Sequence, residues 1–169
     1  MSATNRGAVR NPQDAYYTPQ WCVKLLLKEL NINPEMIFLE PCKGGGNIYD
    51  LVDTKIKLWA ELDEGVDFLS YTPPQPPTLI ITNPPFSLAL EFLLKSLLHK
   101  EATVIFLLRL NFLGAQKRKP FWNKFPPSHL YVLSERPSFT GHGTDATEYA
   151  WFVWDRQNIC LKPAGVYVI

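Results

Sequence analysis

The sequence predicts an α/β domain of three layers, with helices on both faces of one central sheet. Three observations carry that expectation. Short apolar runs rich in β-branched residues, such as Leu79-Ile80-Ile81-Thr82, read as strands buried on both faces. Segments with apolar residues near helical spacing lie between several of these runs. Their order is β-α-β-β-α-β followed by two further strands, the alternation of a sheet with crossover helices.

The chain has 169 residues, enough for one domain with a substantial core. Residues 1–12 are polar and read as a flexible N-terminal segment, leaving 13–169 as the domain. Apolar residues make up 46% of the chain, and the net charge of +1 excludes a strongly basic footprint overall. No stretch approaches the ~20 apolar residues of a membrane span, and the N-terminus lacks a signal-peptide core. Cys22, Cys42 and Cys160 are too scattered for a zinc pattern or a disulfide framework, so reduced thiols in an intracellular, cytoplasmic protein are expected.

Thr18-Pro19 signals a helix start, with Thr18 as N-cap and Pro19 at the first helical position of a helix over about 19–30. Ile37-Phe38-Leu39-Glu40 is a short strand, and Cys42 to Asn47 a glycine-rich turn leading into a helix over about 47–52. Ile56 to Glu61 is the second strand, followed by a turn at Asp67-Phe68-Leu69. Tyr71 to Thr78 is a proline-rich connector into the strand that must stop at Asn83, because Pro84 and Pro85 cannot donate to a ladder. Ser87 to Lys100 reads as a crossover helix and Ala102 to Leu108 as a buried strand. Asn111 to Ser128 is a basic, aromatic loop. Leu130–Leu133 and Glu148–Trp154 are the last core strands, joined through residues 138–144.

Three stretches carry chemistry. In an open α/β sheet ligands bind at the carboxyl ends of strands. There Asn83-Pro84-Pro85-Phe86 offers an amide, a proline carbonyl and a ring, which can accept two N–H bonds from a flat amine and stack on it. Glu40-Pro41-Cys42-Lys43-Gly44-Gly45-Gly46 supplies backbone that can pass close to a ligand, although a plain tight turn needs the same glycines. Glu61 ends the next strand, where a carboxylate can accept both ribose hydroxyls of an adenosine cofactor, with Asp63 its competitor. Asp67 can take an exocyclic amine while the ring of Phe68 packs on the adenine.

These residues resemble the S-adenosylmethionine-dependent amino-methyltransferases of the N6-adenine type, in the style of the small phage-type DNA adenine methyltransferases. Asn83-Pro84-Pro85-Phe86 is similar to that family's catalytic motif, and Glu40-Pro41 with Gly44 and Gly46 to its cofactor loop. Glu61 falls on the ribose acid, Asp67-Phe68 on the pair at the cofactor adenine, and Tyr17-Thr18-Pro19 on an element beside the methionine end. The resemblance covers about residues 14–86, with weaker likeness through Arg109, Arg136-Pro137 and Trp151 to Trp154. It implies a Rossmann-like class I methyltransferase domain with a seven-stranded, mostly parallel sheet of order 3-2-1-4-5-7-6 and strand 7 antiparallel. It implies S-adenosyl-L-methionine as cofactor and S-adenosyl-L-homocysteine as product. Lys43 departs from the pattern, facing either solvent or a carboxylate, and the chain has no room for a separate target-recognition domain.

The implied reaction is methyl transfer to the N6 amine of adenine in DNA, on a flipped or single-stranded base, with no metal and no membrane. RNA adenine, protein glutamine and a non-catalytic cofactor-binding subunit are the alternatives, and a protein partner supplying recognition fits the missing domain. Lys117, Arg118, Lys119 and Lys124, interleaved with Phe121, Trp122 and Phe125, are the candidate nucleic-acid track, against a solvated, partly packed loop. Arg136, Phe139, His142 and Thr144 offer a second loop, where a lone histidine is more often structural.

Overall fold

Alternation of side chains across a strand decides how this chain layers. The computed structural model describes residues 17–139 and 145–169, so the N-terminal segment, His142 and Thr144 lie outside the described residues. Seven strands form one sheet: β1 (Ile37–Glu40), β2 (Ile56–Trp59), β3 (Leu79–Thr82), β4 (Thr103–Arg109), β5 (His129–Val132), β6 (Tyr149–Trp154) and β7 (Gly165–Val168). In β3, Leu79 and Ile81 point to one core cluster and Ile80 to the other, all fully buried. Helix α1 (Gln20–Leu27) covers the first face with Cys22, Val23 and Leu26. Helix α2 (Ala89–Leu97) and α3 (Lys119–Lys124) cover the second, through Phe92 and Leu93 of α2 and the Phe121 and Trp122 rings of α3. The three layers expected from the sequence are present.

The sheet order is β2-β1-β3-β4-β6-β5-β7, with β6 antiparallel to both neighbours and every other pairing parallel. The expected run of seven mostly parallel strands with one antiparallel member holds. The implied order does not hold at its edges. No strand lies outside β2 among the described residues, because Tyr71 to Thr78 forms a connector rather than a strand. The seventh strand is instead β7, paired parallel to β5 at the opposite edge. Its Gly-Val-Tyr-Val run is short, with Val166 and Val168 exposed, as an edge strand tolerates.

Other expectations shift locally. Pro19, with ψ of 134°, is the N-cap of α1 in place of Thr18, whose side chain makes no cap. Residues 47–52 form turns with single helical bonds, such as Asp50 N–H to the Gly46 carbonyl at 2.8 Å. The Asn111–Ser128 loop contains α3, favoured by Pro120 in its first turn and an inward aromatic face.

Candidate active site

The carboxyl ends of β1, β2 and β3 converge on the glycine loop. Gly46 has φ of +85°, where a side chain is strained, and a Cβ on Gly45 would lie 2.7 Å from a ring carbon of Tyr17. The Tyr17 ring therefore lies directly on the loop, and Asn47 Nδ2 donates to the Thr18 carbonyl at 2.9 Å. Thus Tyr17, Thr18 and Pro19, far away in sequence, are joined to Gly44-Gly45-Gly46. Glu61, just beyond β2, accepts the Gly44 N–H at 2.6 Å and the Asp63 N–H at 3.2 Å. It thereby fixes the loop, while Asp63 is exposed. Lys43 reaches away from the loop to pair with Glu64 at 2.7 Å, its ammonium 4.2 Å from the Trp59 ring centre.

Three buried polar atoms at this end have no partner: Glu40 Oε2, Thr82 Oγ1 and Asn83 Oδ1. Glu40, the last residue of β1, is 1% exposed, and its Oε2 receives no hydrogen bond. Burial lifts its carboxyl well above the ordinary carboxylate range. The Tyr49 N–H opposes that lift, and the charges of Glu61 and Asp50 add to it. A buried carboxyl with an open oxygen among further carboxylates suits a cationic ligand. Asn83, the first residue after β3, likewise has a buried Oδ1 without a partner. Because β1 and β3 are adjacent and parallel, both groups leave the sheet at the same end.

Phe86 opens a 3-10 turn, Phe86–Leu88, directly after Pro85. The guanidinium of Arg109 lies 4.4 Å from its ring centre, and Tyr149 and Phe139 approach the ring at 5.9 Å and 6.4 Å between centroids. Arg109 Nε donates to the Tyr149 hydroxyl at 2.9 Å and Nη2 to Asp145 Oδ2 at 3.1 Å. Pro84 is buried and Pro85 half-buried.

The remaining candidates divide. Asp67 is exposed and holds its own turn through the Leu69 N–H at 2.9 Å. Phe68 is 2% exposed and packs on Phe92 at 5.0 Å, a core position that leaves its ring no open face. Pro41 is buried beside the glycine loop. Lys117 and Lys119 are exposed at the entry to α3, at the carboxyl end of β4. Arg118 instead donates to the Phe112 carbonyl at 2.6 Å and stacks on the Phe112 ring at 4.2 Å. Lys124 lies a helix length away, toward the opposite end of the sheet, next to Phe125, whose carbonyl accepts from Trp154 Nε1 at 3.0 Å. Trp122 stacks on Phe152 and Trp154, so the aromatics of this stretch belong to the core. Arg136 pairs with Glu148 at the base of the 138–144 connection.

Gly45, Arg109, Asp145 and Tyr149 complete the site: Gly45 lies inside the expected glycine loop and Arg109 in the stretch of weaker family likeness, whereas Asp145 and Tyr149 had no expected site role. Three consecutive glycines flag Gly45, whereas nothing local flags the Arg109 network, which depends on strand register. One cluster outside the site, His129, Asp155 and Cys160, brings ligand-type atoms within 4.8 Å of one another. Both ring nitrogens of His129 are engaged, with Ser128 Oγ at 2.9 Å and the Lys162 carbonyl at 3.0 Å. Asp155 accepts the Ile159 and Cys160 N–H groups, so the cluster serves the 155–160 turn.

No protein-family model and no curated protein matches the sequence. Among solved structures, the chain is similar to a candidate class I S-adenosylmethionine-dependent methyltransferase of Listeria monocytogenes. The TM-score is 0.61 at 13% identity, and the match covers 94% of this chain and 66% of that one, just under two thirds of its length. At that identity the likeness concerns the fold. Among the described residues no helix is long and apolar enough to cross a membrane. The chain has the Rossmann-like fold of the class I methyltransferases.

Proposed function

We propose that this protein transfers a methyl group from S-adenosyl-L-methionine to the N6 amine of adenine in DNA. The observation that carries the reading is the buried, unpartnered Oδ1 of Asn83, one residue past a central strand and followed by Pro84-Pro85-Phe86. A desolvated acceptor is costly unless a donor arrives, and an exocyclic amine brings two N–H groups. The cofactor fits the residues present: Glu40 offers an open buried oxygen to a cation, and the glycine loop brings backbone close, with Glu61 at its edge.

When bound, S-adenosyl-L-methionine supplies an electrophilic methyl on a sulfonium. Asn83 Oδ1 and the Pro84 carbonyl accept the two hydrogens of the amine, whose lone pair is otherwise delocalised into the purine. Holding those hydrogens favours a more pyramidal nitrogen and stabilises the positive charge that develops on it. The nitrogen would then bond to the methyl carbon as the carbon–sulfur bond breaks, leaving S-adenosyl-L-homocysteine, and one amine proton would pass to solvent. Phe86 stacks on the base, an interaction worth about 1–3 kcal/mol by analogy with single-strand binding. Such a base has to leave its helix or be unpaired already.

The test is incubation with methyl-labelled cofactor and DNA, RNA or protein in parallel. Label recovered as N6-methyladenine in DNA is the expected result, and transfer confined to RNA or protein would overturn the substrate. Asn83→Ala should abolish transfer while cofactor affinity changes little. A fully active variant would remove Asn83 from the chemistry.

A further inference from the structure

Phe86 is a stacking platform only if one of its faces is open, and the Arg109 guanidinium already lies 4.4 Å from the ring centre. A base between the two would need two stacking gaps of about 3.5 Å each, roughly 7 Å in all. That face is closed. Arg109 is the last residue of β4 and Tyr149 the first of β6, and the two are direct cross-strand partners. Leu110 N–H donates to the Glu148 carbonyl at 3.0 Å and extends the ladder past them. The guanidinium is therefore anchored by sheet register at its root. At its tip it is held by the Tyr149 hydroxyl and the Asp145 carboxylate, which itself accepts from Tyr149 at 2.5 Å. Asp145 also neutralises the guanidinium, which keeps a bare cation away from a site that binds a cationic methyl donor.

Resting on the adenine-methyltransferase reading, we infer that Arg109 is a positioning residue for the substrate base. It closes one face of Phe86 and fixes the ring, so the base stacks only on the opposite face. Asp145 and Tyr149 lock it in that place. The planar, delocalised guanidinium is suited to this; an ammonium would offer a point charge and no flat surface.

The test uses the full chain, saturating cofactor and a single-stranded DNA oligonucleotide carrying one adenine. Arg109→Met should raise KM for the oligonucleotide about tenfold, with a smaller change in kcat and no change in cofactor affinity. Arg109→Lys should remain close to Arg109→Met. In a Phe86→Leu background, Arg109→Met should add less than about twofold, because the residue acts through the ring. A merely structural role predicts multiplicative effects in that background and rescue by lysine, and either result overturns the inference. If the wild-type chain methylates the oligonucleotide and Arg109→Met has an unchanged KM, the inference falls and the adenine reading stands. If the wild-type chain transfers nothing to adenine, both fall together. Should Arg109→Met fail to fold, Asp145→Asn loosens the same guanidinium from the half-exposed side. It should raise KM by a smaller factor, and an unchanged KM would again overturn the inference.

Discussion

Glu40 combines a buried position, an open carboxylate oxygen and two neighbouring carboxylates, Glu61 and Asp50. With its folded value raised by burial, folding favours the neutral acid over the carboxylate. The stability this gives is full below the unfolded carboxylate value of about 4.3 and is lost as pH rises through the folded value. Glu40→Gln should therefore flatten the fall in ligand-free Tm toward alkaline pH, which thermal melts across pH will check. A cationic ligand reverses the preference, because it favours the ionised form. Binding of S-adenosyl-L-methionine should strengthen with rising pH in the wild-type protein, with proton release visible by calorimetry in buffers of different ionisation enthalpy. Glu40→Gln should bind more weakly and release no proton. A variant with wild-type affinity and wild-type pH dependence would exclude Glu40 from the cofactor site.

At the level of elements, α3 and the two 3-10 turns before it, Leu110–Gly114 and Gln116–Arg118, divide the basic stretch by function. Arg118 clamps the Phe112 carbonyl, and Trp122 stacks on β6, so neither is free to meet a nucleic acid. Lys117 and Lys119 remain exposed at the carboxyl end of the sheet, while Lys124 has been carried toward the other end. Neutralising Lys117 and Lys119 together should reduce the salt slope of DNA binding by up to about 2, and Lys124→Ala should leave it unchanged. Binding isotherms over a range of salt concentrations would decide this. An unchanged slope in the double variant would remove this stretch from the interface. Arg118→Ala should instead lower Tm through the loss of two backbone bonds at the turn.

Over the whole molecule, the candidate cofactor end of the site and the last strand lie in opposite halves of one sheet. The β1, β2 and β3 ends carry the glycine loop, Glu40 and Asn83, whereas β7 closes the far edge against β5. That edge is held by bonds such as Ile169 N–H to the Val132 carbonyl at 2.8 Å and Gly165 N–H to the Ser128 carbonyl at 3.0 Å. Tyr167 stacks on the buried Tyr131 at 5.8 Å. Truncation after Ala164 should lower Tm by about 10 °C and expose the β5 edge to self-association. Cofactor affinity measured well below the new Tm should be retained. Its loss would mean that the two halves are energetically coupled.

Sequence by itself determined the strand ends and the types of group placed there. Two prolines force the strand to stop no later than Asn83, and β3 ends one residue earlier at Thr82, so Asn83 stands at a strand terminus whatever the rest of the chain does. Three glycines after a buried strand oblige the backbone to turn tightly, and an acid at the end of the next strand is then near it. Those are local constraints, readable from spacing. Phe68 was legible as an aromatic beside an acid, yet burial against Phe92 is a matter of which face the turn presents. The missing edge strand beyond β2, the gain of β7 and the reach of Lys124 likewise depend on how elements pack. Most of all, Arg109 meets Phe86 because β4 pairs with β3 in one register, and a slip of one residue would turn Arg109 to the other face. Contacts between residues 23 positions apart, such as these two, come from pairing and layer packing, which only the tertiary structure decides.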